Sequence, residues 1–428
     1  MKKVMAFITL IFSAALMCGC SPVSVSELYS LPQLSDEYIS LQALIDSELS
    51  GGSEYSPPAG GTNLQAVQQY DLNGDASPEA LAFFRTGDGT LKICIYSSES
   101  GEYREVCAIT GDGSSIGRVE YADMDGDGSS ELIVAWQLDG GITTLGAYSL
   151  EAWSGAALLT ANAEDFAVIP MSGEGQDLLI LRRTGEGEAA VDMCSLAGSG
   201  ELAVSTAKLS RGFGDVEVMR AGTLSDGTAA LFVEGSYMDS HMITDVFAAA
   251  GGSIYNITAT HGGISQTTRS VPVYSEDING DGITEVPSAR RLGSPEGDEF
   301  WAFDWKQVRP DGQLRAVMST FHSYADGWYL DLGPLEGYEL FVERSVGLSG
   351  RRVTFSAVED GGALRELFSV YVFTGANREA QASAAGMMLL HSDESAATAM
   401  SVSAPELDAD ELAEGFALIS SGWTLPAA

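Results

Sequence analysis

The chain is poor in basic residues. Lys and Arg number 22 against 60 Asp and Glu, so 428 residues carry a net charge of −38. A surface that acidic repels phosphate backbones and anionic headgroups, which excludes nucleic acid as a partner and polybasic docking to a membrane. Cations are the partners its field attracts. Histidine is scarce too: His241, His261, His322 and His391 are the four, none paired at i, i+4 around a glutamate, so zinc-protease chemistry of that kind is absent. No phosphate-binding loop, dinucleotide fingerprint or Cys-x-x-Cys pair occurs. What remains is a globular composition, 45% hydrophobic and 19% charged, with length for two to three domains.

Lys2 and Lys3 precede an apolar stretch, Val4 to Met17, that falls short of the roughly twenty residues needed to span a bilayer. It reads as an export signal. Met17-Cys18-Gly19-Cys20 before Ser21 resembles a bacterial lipobox, with Met17 where leucine is usual. The resemblance implies that residues 1–19 are removed, that Cys20 carries the lipid, and that the protein is held to the cell membrane on its extracytoplasmic side. An ordinary secretory signal is the other reading. Cys94, Cys107 and Cys194 are then left, an odd number that argues against a disulfide framework. Cys94 and Cys107 flank a turn at Ser98-Glu99-Ser100-Gly101; they either face each other on a hairpin or are two small apolar residues on a strand face.

Helical spacing of Leu41, Leu44, Ile45 and Leu49 predicts one amphipathic helix over Ser35 to Leu49. The Gly-, Ser- and Pro-rich stretch from Gly51 to Gly61 reads as a flexible connection. Beyond it five segments align: Asp71 to Glu79, Asp123 to Glu131, Pro170 to Gln176, Gly222 to Thr228 and Asp277 to Glu285, with starts 52, 47, 52 and 55 residues apart. A period near fifty belongs to propeller blades. Apolar strands follow the first four, at Ala80–Phe84, Leu132–Trp136, Leu178–Leu181 and Ala229–Val233.

These repeats resemble the FG-GAP or VCBS type found in integrin-like propellers and in secreted bacterial proteins, whose mark is Asp-x-Asp/Asn-x-Asp-Gly-x-x-Asp/Glu. The resemblance covers residues 64–322 and departs from the family in blade number, five against the usual seven. A hard cation wants six to eight oxygens, which such a loop delivers from alternate positions. The residues assigned to calcium are Asp71, Asn73, Asp75 and Glu79; Asp123, Asp125, Asp127 and Glu131 with the carbonyl of Ser129; and Asp277, Asn279, Asp281 and Glu285 with that of Ile283. Magnesium fits less well because it retains its water. Ala76 replaces a glycine and resists a positive φ, so the first loop is expected to bind more weakly. The third and fourth segments have lost most carboxylates. Solvated Asp-Gly turns are the alternative for all three loops.

After Phe321 the pattern changes to strands at Trp328–Leu332, Tyr338–Arg344, Arg352–Val358 and Leu367–Phe373, then a helix at Asn377–Ala385. Asp408-Ala-Asp-Glu411 is a capping box opening a last helix, with Trp423 beyond. This region faintly resembles the PsbP/Mog1-like fold. The expected fold class is therefore mainly β, a propeller of about five four-stranded blades and then a smaller α+β domain. The segments are 1–19 signal peptide, 20–63 lipidated N-terminus, helix and linker, 64–322 propeller, and 323–428 C-terminal domain.

Gly113-Ser-Ser-Ile-Gly117 matches the nucleophile-elbow pattern but opens a strand rather than a helix, so it reads as a chance match. Phe300-Trp301-Ala-Phe303-Asp-Trp305 is either a sugar-stacking platform or alternating core. Two classes of function fit. One is a non-catalytic binding or scaffolding lipoprotein, stabilised by calcium, that presents loops to an extracellular protein or carbohydrate. The other is a cell-envelope enzyme acting on a polysaccharide or glycan.

Overall fold

The computed structural model describes residues 36–98, 101–173, 175–183, 188–238, 241–260, 262–347 and 350–419. The export signal, Cys20, Glu99, Ser100, Glu174, His261 and Trp423 lie outside them. The fold is mainly β, a propeller of four-stranded antiparallel sheets followed by a smaller α+β part. Helix α1 (Asp36–Ser50) comes first. Sheet 1 holds β1 (Glu54–Tyr55), β2 (Val67–Tyr70), β3 (Glu79–Arg85), β4 (Leu91–Ser98) and β5 (Tyr103–Gly111). Sheet 2 holds β6 (Ser115–Ala122), β7 (Glu131–Gln137), β8 (Thr143–Ser149) and β9 (Ala156–Ala163). Sheet 3 holds β10 (Asp165–Ile169), β11 (Asp177–Arg183), β12 (Ala189–Leu196) and β13 (Leu202–Lys208). Sheet 4 holds β14 (Phe213–Thr223), β15 (Ala229–Tyr237), β16 (His241–Ala250) and β17 (Ser253–Asn256). Sheet 5 holds β18 (Glu285–Arg291), β19 (Trp301–Val308), β20 (Leu314–Ser323) and β21 (Trp328–Asp331). Sheet 6 holds β22 (Leu340–Gly347), β23 (Gly350–Val358), β24 (Leu364–Thr374), β25 (Met388–Ser392) and β26 (Ala396–Val402), with β26 lying between β24 and β25. Helices α2 (Arg378–Ala384) and α3 (Ala409–Glu414) belong to this last region, and β27 (Phe416–Leu418) returns to pair with β21.

The apolar runs after the first four repeat segments become β3, β7, β11 and β15, and they are continuous because both of their faces are buried. In β3, Leu81 and Phe83 pack toward sheet 2 while Ala80, Ala82 and Phe84 pack under α1. In β7, Leu132, Val134 and Trp136 face sheet 1, and Ile133 and Ala135 face sheet 3. In β11, Leu178 and Ile180 face sheet 2, and Leu179 and Leu181 face sheet 4. In β15, Leu231 and Val233 face sheet 3, while Ala230 and Phe232 meet Val286 and Val308 of sheet 5. The period of two along a strand thus glues each sheet to its neighbours on both sides.

Sheets 5 and 6 share one apolar core, where Phe321 and Trp328 meet Phe355 and Phe368. Sheet 5 departs from the pattern at its start. Among the described residues of 257–284 no strand pairs along β18; a single bridge, Glu276 to Glu285, takes that place. The segment is held by a buried ion pair instead, Arg269 Nη2 to Glu234 Oε1 at 3.0 Å, with Ser275 and Thr244 hydroxyls donating to the same oxygen.

Two readings from composition change. The stretch 51–61, expected to be a flexible connection, contains β1, paired with the end of β3. It then donates Ser56 N to Phe83 O at 2.9 Å, Ala59 N to Ile116 O at 2.9 Å and Gly60 N to Gly117 O at 2.7 Å, lacing sheets 1 and 2. Turn-forming residues leave the backbone groups of this stretch free to satisfy strand edges. Cys94 and Cys107 do not face each other, because Cys94 opposes Ala108 while Cys107 opposes Ile95. Cys94 lies under α1 and Cys107 lies between sheets 1 and 2, so both are buried, unpaired and on opposite faces.

Candidate functional site

The three acidic loops fold alike. Each first aspartate accepts backbone N–H groups from further along its own loop: Asp71 from Gly74 and Ala76, both at 2.9 Å, Asp123 from Gly126 at 2.7 Å and Gly128 at 3.0 Å, and Asp277 from Asp281 at 3.0 Å and Gly282 at 2.8 Å. Each fifth residue holds the N–H two positions on, Asp75 that of Ser77, Asp127 that of Ser129 and Asp281 that of Ile283. Each closing glutamate, the first residue of its strand, reaches back to the second N–H: Glu79 to Leu72 at 3.0 Å, Glu131 to Met124 at 2.9 Å and Glu285 to Ile278 at 3.1 Å. The sixth position needs a positive φ, which Gly128 takes at +92° and Gly282 at +83°; Ala76 takes it at +67°. Ala76 therefore does not divert the first loop from the shared shape, and carries backbone strain instead.

The loops differ in what lies between their carboxylates. In the first, Asn73 Nδ2 bridges Asp75 at 3.1 Å and Glu79 at 3.4 Å. In the third of them, at 277–285, Gln307 Nε2 bridges Asp281 at 2.9 Å and Glu285 at 3.0 Å, and Asn279 Nδ2 donates to Asp281. These amides offset some of the carboxylate repulsion. In the middle loop the third position is Asp125 rather than asparagine, and oxygens of Asp123, Asp125 and Asp127 all lie within 4.8 Å of one another. Burial pushes the Glu131 carboxyl up to about 7, and the three aspartates beside it add to the rise. Burial also raises Asp125, Glu79 and Glu285 above the ordinary carboxylate range.

Sequence alignment placed the third and fourth segments as degenerate copies and overlooked Asp177. This buried residue opens β11 and accepts Met171 N at 2.8 Å and Ser172 N at 2.7 Å, the part that the glutamates play elsewhere. The shorter loop had shifted it out of register. Asp226 makes only a turn contact, accepting Thr228 N at 3.0 Å. The Gly113–Gly117 match enters β6, where a side chain at Gly113 would come within 2.5 Å of Gln137 O. Of the aromatic stretch, Phe303 and Trp305 are buried, and Trp305 Nε1 donates to Thr320 Oγ1 at 2.7 Å. They are core.

A cavity of about 830 Å³ lies at the opposite ends of these strands, between sheets 2, 3 and 4. Its walls come from the β7–β8 turn (Ile142), the junction between β9 and β10 (Asn162 to Asp165), the end of β11 (Arg182, Arg183) and the start of β14 (Asp215, Glu217). No sequence motif marked it, because its residues come from six separate strands and the turns between them.

No family model matches the chain, and no curated protein matches it. Among solved structures it is similar to the periplasmic gluconolactonase PpgL of Pseudomonas aeruginosa, at 13% identity over 69% of this chain and 83% of that one, with a TM-score of 0.29. A Bacteroides fragilis protein described as a 6-phosphogluconolactonase is similar at 13% identity over 70% of this chain and 82% of that one, with a TM-score of 0.24. Likeness at that level carries no information about what this chain binds.

Proposed function

We propose that this protein is an exported, lipid-anchored β-propeller of FG-GAP/VCBS type, attached through Cys20, that acts as a non-catalytic binding or scaffolding module and is stabilised by calcium. The observation that carries the metal assignment is the convergence of Asp123, Asp125 and Asp127, hard oxygen donors whose mutual repulsion a divalent cation would relieve. Asp277, Asn279, Asp281 and Glu285, and then Asp71, Asn73, Asp75 and Glu79, would follow in affinity, since their bridging amides must turn away before an ion enters. Calcium supplies charge neutralisation there and no chemistry. The test is calorimetric titration with calcium at low ionic strength, repeated on Asp127→Ala, Asp281→Ala and, as a control, Asp226→Ala. Binding that survives Asp127→Ala unchanged, or that Asp226→Ala abolishes, would show that the loops are only turns.

A second reading, an envelope enzyme acting on a polysaccharide or glycan, is favoured by one observation. The cavity between sheets 2, 3 and 4 gathers Glu164, Asp165, Asp192, Asp215 and Glu217. Turnover of a glycan panel by the full chain, lost in Glu217→Gln, would decide for it.

A further inference from the structure

The cavity between sheets 2, 3 and 4 has a charge pattern that selects among ligands. Three arginines near it are already engaged. Arg118 Nη2 lies 3.4 Å from Asp165, Arg182 is held by both carboxylate oxygens of Asp192, and Arg183 bonds Glu164 at 2.6 Å and the Gly214 carbonyl at 2.8 Å. Among the described residues no ion pair involves Asp215 or Glu217. These two carboxylates are placed by a break in the ladder. The pairing of β14 with β15 slips between Phe213 and Val216 and again between Val216 and Val218. Gly235 makes room for that slip, since a side chain there would come within 2.1 Å of the Asp215 carbonyl. Tyr274 then donates its hydroxyl to Glu217 at 2.5 Å, and steadies it.

We propose that this cavity binds a small organic cation carrying primary ammonium groups, of which a linear polyamine is the simplest, an inference that rests on reading the propeller as a binding module. Lining carboxylates outnumber guanidinium groups five to two, so an anionic ligand is repelled. Among the described residues no aromatic ring lines the walls, so a neutral sugar lacks a stacking face. Val216 and the exposed Ile142 supply apolar surface beside Asp215 and Glu217, which suits methylene stems between charged amines. The volume lies within the roughly 300–1,000 Å³ of small-molecule sites.

The experiment is calorimetric titration of the full chain with spermidine at low ionic strength, with calcium held at about 1 mM so that its own loops are filled. Saturable one-to-one binding is expected, weakened about tenfold in Asp215→Asn/Glu217→Gln, the effect of losing two exposed ion pairs. Asp226→Asn, which removes one charge elsewhere just as Glu217→Gln removes one here, should leave it unchanged. Glu217→Gln alone, weakening binding about threefold, serves if the double variant does not fold. No binding, equal binding by the double variant, loss of binding in Asp226→Asn, or tighter binding of maltose or gluconate than of spermidine would each overturn the proposal. Asp127→Ala should leave spermidine binding intact, and calcium binding by that loop is read separately, so failure here leaves the calcium reading standing.

Discussion

At the residue scale, the loops show how one backbone conformation is bought by different side chains. Ala76 holds a φ of +67° where its counterparts are glycine, and left-handed backbone costs a non-glycine residue about 1–2 kcal/mol. Ala76→Gly should therefore stabilise the protein by about 0.5–1 kcal/mol, the relief being partly offset by glycine's greater freedom when unfolded, as read by chemical denaturation. Asp177 is the opposite case. Its buried carboxylate satisfies two backbone donors and the Ser195 hydroxyl, so Asp177→Ala should cost about 2–4 kcal/mol. His322 gives the acid limb of stability. Burial lowers its pKa to about 3, with Thr320 at 2.9 Å and Tyr324 at 3.1 Å on its two nitrogens. An unfolded histidine titrates near 6.5, so between these values the folded chain binds fewer protons and loses stability as pH falls. At pH 5 the loss from this residue is about 2 kcal/mol, and His322→Gln should flatten that slope whatever its effect at pH 7.

At the element scale, strands β3, β7, β11 and β15 hold sheets 1 to 4 to their neighbours, and their legibility has a physical cause. A strand buried on both faces reads as an unbroken apolar run, so Ala80–Phe84, Leu132–Trp136, Leu178–Leu181 and Ala229–Val233 were all identified from sequence. Outer strands such as β13, where Ala203 and Val204 are exposed and no residue is fully buried, carry weaker patterns. Helix α1 was equally legible from its spacing, but its role was not. It covers the far face of sheet 1 with Leu41 and Ile45, both nearly fully buried, and ties Glu48 to Lys92 at 2.7 Å. Leu41→Ala and Ile45→Ala should each cost about 2–4 kcal/mol, measurable by thermal unfolding. The laced stretch 51–61 should resist limited proteolysis under native conditions; early cleavage there would show that its backbone bonds do not form in solution.

At the scale of the whole molecule, charge and ends govern behaviour. A net charge of −38 opposes compaction by self-repulsion, so added sodium chloride should raise the melting temperature of the chelated protein. Extracellular calcium modules bind at about 0.1–1 mM. At about 1 mM calcium each filled loop should then add roughly 0.4–1.4 kcal/mol, and a chelator should remove it; a melting temperature indifferent to chelator would count against every loop. The C-terminal region completes the last repeated sheet, for β27 pairs with β21 and the cores of sheets 5 and 6 are one.

The sequence by itself determined the β-rich class, the doubly buried strands and the places of the acidic loops, because each is written in a short local pattern, and the fifty-residue period is the recurrence of that pattern along the chain. Tertiary structure decided everything that depends on distant pairs. It set Cys94 and Cys107 on opposite faces, gave Gln307 its bridge between Asp281 and Glu285, and placed Arg269 against Glu234. It also assembled a cavity from Ile142, Asn162, Arg183 and Glu217, residues spread over 75 positions that share no local pattern. Local periodicity reports which face of a strand is buried; only the stacking of the sheets decides what that face meets.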